Sequence, residues 1–187
     1  MSRYFSICST YMYQHRYMDF LLAHYKKLNM PYNFPVTLSY ISSPLLMGGG
    51  AILCFDDQDE IAGALGYIHG TGEHDYEDRH VIQLQIAFIK EEYRGSRLMV
   101  EALQFLLQHI DEQEEIESVQ EMRFWAVKDR INQRLFSKFA KRIGSTESEY
   151  GGSIDAYAIY LSELRAYLSY FHRVSRVKGS RDKEVTP

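Results

Sequence analysis

Residues 93–99, Tyr-Arg-Gly-Ser-Arg-Leu-Met, lie between an apolar stretch and a long stretch of helical spacing. The first turn of a helix leaves about four amide N–H groups without intrahelical partners, and the helix dipole adds partial positive charge there. Gly95 and Ser96 are small enough for the backbone to approach an anion closely. Arg94 and Arg97 can add charge-assisted hydrogen bonds to a diphosphate. The segment therefore predicts a phosphate-binding site at the start of a helix.

Three other groups of residues carry weaker chemical signals. The loop from His69 to His74 contains two His and one Glu, but no distant third ligand accompanies it, so we expect no metal site. The run Gly48–Gly50 has no Lys-Ser/Thr after it and is therefore not a nucleotide-binding P-loop. Cys8 and Cys54 lie far apart and match no metal spacing. None of these groups competes with the segment at 93–99.

The bulk composition is that of a small globular protein. The chain has 187 residues, 45% of them hydrophobic, and a formal net charge of -4. This length fits one domain, and a mildly acidic chain is a poor nucleic-acid binder. We expect one domain over residues 1–172 and a disordered basic tail over residues 173–187. Since no secretory leader or membrane span is evident, we expect a cytoplasmic protein with no membrane partner.

Hydrophobic periodicity predicts the elements that must position the phosphate-binding segment. The predicted strands cover 4–9, 51–55, 61–69, 80–89, 122–127 and 156–161, and the predicted helices cover 11–29, a stretch ending near 113, 130–142 and 162–172. Residues 36–41, between two prolines, are predicted to be extended, and Gly144 is predicted to cap a helix. In the strand at 80–89, alternation predicts that Ile82, Leu84, Ile86 and Phe88 share one face. The fold class is therefore mixed α/β (α+β), with a central, mostly antiparallel sheet flanked by helices.

The order of elements and residues 88–95, which end in Tyr-Arg-Gly, resemble the GCN5-related N-acetyltransferase (GNAT) superfamily. The resemblance implies an acyl-CoA N-acyltransferase fold, with acetyl-CoA as the co-substrate. The family pattern at the pyrophosphate loop, Arg/Gln-x-x-Gly-x-Gly/Ala, is matched at Arg94, whereas Arg97 and Met99 replace its two small residues. The resemblance implies these coenzyme-binding residues: Phe88, Ile89, Arg94, Gly95, Ser96, Arg97, Leu98, Met99, Asn132 and Phe139. Near Phe88 or Ile89, a backbone amide is implied to polarise the thioester carbonyl.

The same resemblance shows where the acid and base positions of the family have changed. Gln83 falls where the family often carries a general-base Glu, and Gln has no pKa near neutral pH. Glu73, His74, His80 or an outside water are the alternatives. Phe139 occupies the position of the proton-donating Tyr. The phenols of Tyr150, Tyr157 and Tyr160 are the candidate replacements, and we nominate Gln83 and Tyr150 as the catalytic pair.

Three functions are compatible with these residues. The first is acetyl transfer from acetyl-CoA to a primary amine, on a small molecule or a peptide, by direct attack with backbone polarisation of the thioester. The second is a catalytically degenerate module that binds coenzyme A as a sensor or docks other proteins. The third is an unrelated interaction protein that docks through the Tyr- and Met-rich first helix. The sequence is also compatible with a homodimer.

Overall fold

The computed structural model describes residues 3–113, 119–148 and 152–181, with the side chains of 172–181 outside the description. The strands are β1 Tyr4–Ile7, β2 Gly50–Phe55, β3 Ile61–His69, β4 Val81–Ile89, β5 Glu121–Val127, β6 Lys141–Glu147 and β7 Ser153–Tyr160. The helices are α1 Tyr11–Ala23, α2 Phe34–Leu46, α3 Leu98–Glu112, α4 Arg130–Phe136 and α5 Leu161–Arg181. Short 3-10 turns lie at Tyr25–Lys27, Gly72–His74 and Glu91–Tyr93.

The strands form one sheet in the order β1-β2-β3-β4-β5-β7-β6. Every described pair is antiparallel except β4 with β5, which run parallel because α3 crosses over between them. The predicted fold class, a mixed and mostly antiparallel sheet flanked by helices, is confirmed. The strands predicted at 51–55 and 61–69 are present as β2 and β3, and they form a hairpin with a polar turn after Phe55.

Each face of the sheet buries its own hydrophobic cluster. One cluster contains Tyr17 and Leu21 of α1 and Ile41 of α2. The other contains Leu98 of α3 and Leu164 of α5, both 0% exposed. Burying one such aliphatic side chain contributes about 1.5–3 kcal/mol, so the helices are held mainly by these faces. None of the helices in the described residues is long and apolar enough to cross a membrane.

The prediction that residues 36–41 are extended is wrong, because they lie inside α2. Asn33 caps this helix, and its side chain accepts a hydrogen bond from Val36 N at 3.0 Å. Pro35 sits in the first turn, where its missing N–H costs nothing. Pro44 removes a donor to Tyr40 O, and the Ser43 hydroxyl supplies a replacement donor at 2.8 Å. Both prolines are thus compatible with a helix.

The predicted helix 130–142 is too long, because α4 ends at Phe136. Lys141 begins β6, and Gly144 pairs with Ala156 of β7 instead of capping a helix. The helical spacing in this stretch continues past Phe136, but the ladder with β7 overrides it. The first helix is likewise shorter than predicted, since α1 ends at Ala23.

The prediction that Ile82, Leu84, Ile86 and Phe88 share one face of β4 is wrong, because the strand contains a bulge. The β3–β4 register shifts at Gln85, and one extra residue reverses the alternation beyond it. Ile82 and Leu84 pack on the α3 side, whereas Ile86 and Phe88 pack on the α1–α2 side. Gln85 is therefore the point at which β4 changes which face it buries.

At the C-terminal end, the α5 backbone continues to Arg181, past residue 173, where the basic tail was expected to begin. The domain boundary at that position stays a prediction. Residues 182–187 lie outside the described residues.

Candidate functional site

The parallel strands β4 and β5 pair over only part of their length. Their ladder begins at Val81↔Glu121 and ends at Leu84↔Phe124, just before the bulge. Beyond that point, in the described part of the chain, β4 pairs with β3 alone. Backbone groups of β4 on the side of β5 therefore lack a strand partner after Gln85. Such groups seek hydrogen bonds, so the gap is chemically suited to a polar group on an inserted ligand.

A cavity of about 600 Å³ occupies this gap. It is lined by the middle of β4, most of β5, the first half of α3, α4, one side of α5 and the α1–α2 connection. The described residues that line it include no Asp, Glu, Lys, Arg or His. An uncharged channel between two strands suits a narrow, largely neutral chain rather than an ion.

The predicted phosphate-binding segment, residues 93–99, lies at one end of this cavity. Gly95 has φ of +76°, a left-handed conformation that favours glycine, and Gly95 and Met99 line the cavity. Arg97 is the N-cap residue of α3, and its side chain makes no capping hydrogen bond to the amides of the first turn. The Ser96 hydroxyl accepts from Leu98 N at 3.2 Å. Other first-turn amides remain available to an anion.

The predicted phosphate-loop residues separate into two groups in the structure. Arg94, Ser96 and Arg97 are exposed, and neither guanidinium has an ion-pair partner among the described residues. Leu98 is fully buried and anchors the first turn of α3 in the core. Met99 is partly buried and extends the apolar lining. The roles of these residues toward a coenzyme stay predictions.

A contact that the sequence analysis missed holds this segment against the β2–β3 turn. The Tyr93 hydroxyl donates to the Asp56 carboxylate, which also accepts from Gln58 N and Glu60 N, each at 2.9 Å. The hydrogen bond from Tyr93 is the largest cause of a lowered Asp56 pKa. The same bond raises the pKa of Tyr93 to about 12. The only sequence signal was an Asp at a hairpin turn, and that residue type is common in turns.

Asn132 and Phe139 both line the large cavity. The Asn132 side-chain amide donates to Val127 O at 3.0 Å and to Asp129 Oδ2 at 2.8 Å. Its donors therefore fix the β5–α4 junction and leave its carbonyl oxygen for a ligand. The Phe139 ring lies 5.0 Å from the Tyr167 ring, inside an aromatic cluster.

The β4 residues that line the large cavity lie before Phe88 and Ile89, near which the backbone donor was expected. Phe88 and Ile89 are buried in the two cores, with 4% and 8% of their surface exposed. The β4 residues that line the cavity are instead Leu84, Gln85, Ile86 and Ala87. The role of an amide near Phe88 or Ile89 toward a thioester stays a prediction.

A second cavity of about 370 Å³ adjoins the first one. It lies between α2, the β3–β4 loop, and the floor formed by Gln83 and Arg123. The Arg123 guanidinium also pairs with Glu121, and its Nη1 lies 3.7 Å from Glu73 Oε2. The two cavities share Tyr40, Gln85, Phe124 and Trp125.

Of the two nominated catalytic residues, the structure describes one. Gln83 lines the second cavity, and its catalytic role stays a prediction. Tyr150 lies outside the described residues, so its nomination stays untested. Tyr157 also lines the second cavity, and its ring stacks on Phe124 at 5.2 Å. Burial raises the pKa of the Tyr157 phenol, with Asp155 contributing in the same direction.

No protein-family model and no curated protein matches this chain in sequence. Solved structures do match it in shape. A GNAT-family acetyltransferase from Staphylococcus aureus Mu50 superposes with a TM-score of 0.59 at 17% identity, covering 84% of this chain and 99% of that one. Ard1 from Thermoplasma volcanium gives 0.63 at 10% identity, covering 86% and 98%. A mutant spermidine N-acetyltransferase from Vibrio cholerae gives 0.58 at 11% identity, covering 86% and 95%.

The sheet order, the interrupted β4–β5 ladder and these superpositions define a protein of the acyl-CoA N-acyltransferase fold. More narrowly, the chain has the fold of the GNAT acetyltransferases, which confirms the resemblance seen in the sequence. At identities this low the similarity defines the fold, whereas the reaction has to be argued from the site.

Proposed function

We propose that this protein is an acetyl-CoA-dependent N-acetyltransferase that acts on a primary amine. The observation that carries the proposal is the gap between β4 and β5. It opens where the ladder ends at Leu84↔Phe124, and its 600 Å³ cavity reaches from the start of α3 to the second cavity. The channel has a helix N-terminus suited to phosphate at one end and a separate cavity at the other. This arrangement fits a transfer reaction between two substrates.

The chain's own residues suit each part of the coenzyme. Arg94, Arg97 and the free amides of the first turn of α3 would hold the diphosphate. The uncharged lining between β4 and β5 would hold the pantetheine arm. Bound acetyl-CoA supplies an activated thioester. An amide from the stretch 85–87 would hydrogen-bond its carbonyl oxygen and stabilise the negative charge that develops there.

The degenerate binding module remains a second candidate, and specific residues favour it. Gln83 faces the second cavity, where its carboxamide cannot take a proton. Phe139 offers no hydroxyl to the leaving thiolate. The two functions therefore differ in turnover and not in coenzyme binding.

Release of coenzyme A thiol, measured with a panel of amines, separates the candidates. We expect amine-dependent release that falls at least tenfold in Arg94→Glu, because a repulsive charge replaces a diphosphate partner. The matched control is Lys141→Glu, the same charge reversal on the exposed strand β6 and outside both cavities. Coenzyme binding without release from any amine would instead identify a binding module, and equal losses in both variants would contradict the assigned site.

A further inference from the structure

Four residues mark the place where the two cavities meet: Tyr40, Gln85, Phe124 and Trp125. An acceptor amine that reaches the thioester must pass this point, so the groups here decide which amines react. Gln85 Oε1 is buried and has no hydrogen-bond partner among the described residues. A carboxamide oxygen can accept a hydrogen bond from an amine N–H, which orients the nitrogen without removing its proton.

Glu73 is the only carboxylate, within the described ranges, that lines either cavity. Its side chain is 72% exposed, and its Oε2 lies 3.7 Å from Arg123 Nη1. Glu73 is not among the residues where the two cavities meet, so no carboxylate of the described residues stands there to take the proton of the amine. The site therefore favours an amine that has already lost its proton in solution.

The intrinsic pKa of the amine then controls the reactive fraction. An α-amino group titrates near 7.7–8.0 and a Lys side chain near 10.4. At pH 7.5, roughly 25–40% of the former and about 0.13% of the latter is neutral, a ratio of about 200–300. The greater nucleophilicity of the stronger base offsets part of this ratio but leaves the α-amine favoured.

The surroundings of the meeting point also select the group that carries the amine. Residues 28–50 contain no charged residue, and Met30, Pro31, Tyr32 and Ile154 form an apolar wall of the large cavity. The Tyr32 ring stacks on Tyr40, with 4.9 Å between centroids. An apolar side chain would bury surface against this wall, whereas a charged one would lose hydration without a partner.

On these grounds we infer that the acceptor is the α-amino group of a peptide whose first side chain is apolar. The inference rests on the proposed acetyl transfer and narrows it. The neutral amine's lone pair attacks the thioester carbonyl carbon, so a C–N bond forms and the C–S bond breaks. The nitrogen loses one proton, and the departing thiolate gains one, so that an amide and a thiol result.

The test uses the whole protein, acetyl-CoA and three acceptors. The first is a lysine-free peptide that begins with Leu, the second is its N-blocked counterpart with one Lys, and the third is spermidine. At pH 7.5 we expect kcat/KM for the first peptide to exceed the other two by at least about tenfold. A peptide that begins with Asp serves as the matched control for the apolar wall and should be slower than the one that begins with Leu.

The pH dependence provides an independent readout. For the Leu peptide, kcat/KM should rise tenfold per pH unit up to about pH 8 and then level off, following the pKa of the acceptor. Gln83→Glu adds a carboxylate to the second cavity. In this variant, kcat/KM for the Lys peptide should increase by a larger factor than kcat/KM for the Leu peptide. Faster turnover of Lys or spermidine, or a plateau near pH 6–7 for every acceptor, overturns the α-amine inference alone. Coenzyme binding without turnover of any acceptor overturns the proposed function as well.

Discussion

A substitution at Gly95 tests whether residues 93–99 bind the diphosphate of the coenzyme. Its φ is +76°, and a Cβ added there would meet nothing within 4 Å. Gly95→Ala therefore introduces no clash, only the cost of holding an L-residue in the left-handed region, about 1–2 kcal/mol. The flanking residues Arg94, Ser96 and Arg97 are exposed, so the free loop can relax to avoid this strain.

If coenzyme binding requires the observed loop conformation, the variant must adopt the strained φ when it binds. The free energy of that strain then reduces the affinity for the coenzyme. The expected loss is about 5- to 30-fold in Kd for acetyl-CoA, measured by calorimetric titration. Gly48 is the matched control, because its φ is +67° and it also has nothing within 4 Å. Gly48→Ala should lower Tm by a few degrees and leave Kd within about twofold. An unchanged Kd in folded Gly95→Ala would refute the assignment of the diphosphate to this loop.

Three further perturbations follow from other contacts. Tyr93→Phe removes the hydrogen bond to Asp56 and should weaken coenzyme binding severalfold with little change in Tm, in the same titration. Asp129→Ala removes the cap that accepts from Asn132 N at 2.8 Å and should cost about 1 kcal/mol in urea unfolding. Burial, followed by the charge of Arg79, lowers the pKa of His69 below 6.5. Its contribution to stability is therefore present above about pH 6.5 and lost as the pH falls through the lower folded value, and this loss should be smaller in His69→Gln.

Local signals made much of the fold predictable. Composition and the polar residues before it identified β3 at its observed bounds, Ile61–His69. The helix start after Gly95 was predictable because glycine, a small polar residue and helical spacing are adjacent in sequence. The prolines of α2 led to a wrong prediction, since the cost of a proline in a helix depends on the turn it occupies and on a replacement donor such as the Ser43 hydroxyl.

The gap and the bulge were not predictable from one sequence. They depend on how far β4 pairs with β5 across more than thirty intervening residues, and no local pattern encodes that length. Gln85 therefore carried no signal, although it lies where the two cavities meet. The second cavity was equally hidden, because α2, the β3–β4 loop and β5 contribute to it from distant parts of the chain.

The central claim is that the gap between β4 and β5 holds acetyl-CoA. Calorimetric titration of the folded protein with acetyl-CoA tests it most directly. The account predicts saturable binding at one site per chain, with Kd in the micromolar range and weaker binding at higher salt, because Arg94 and Arg97 would contact the diphosphate. No heat at high micromolar coenzyme, from protein shown to be folded by its thermal transition, would contradict it.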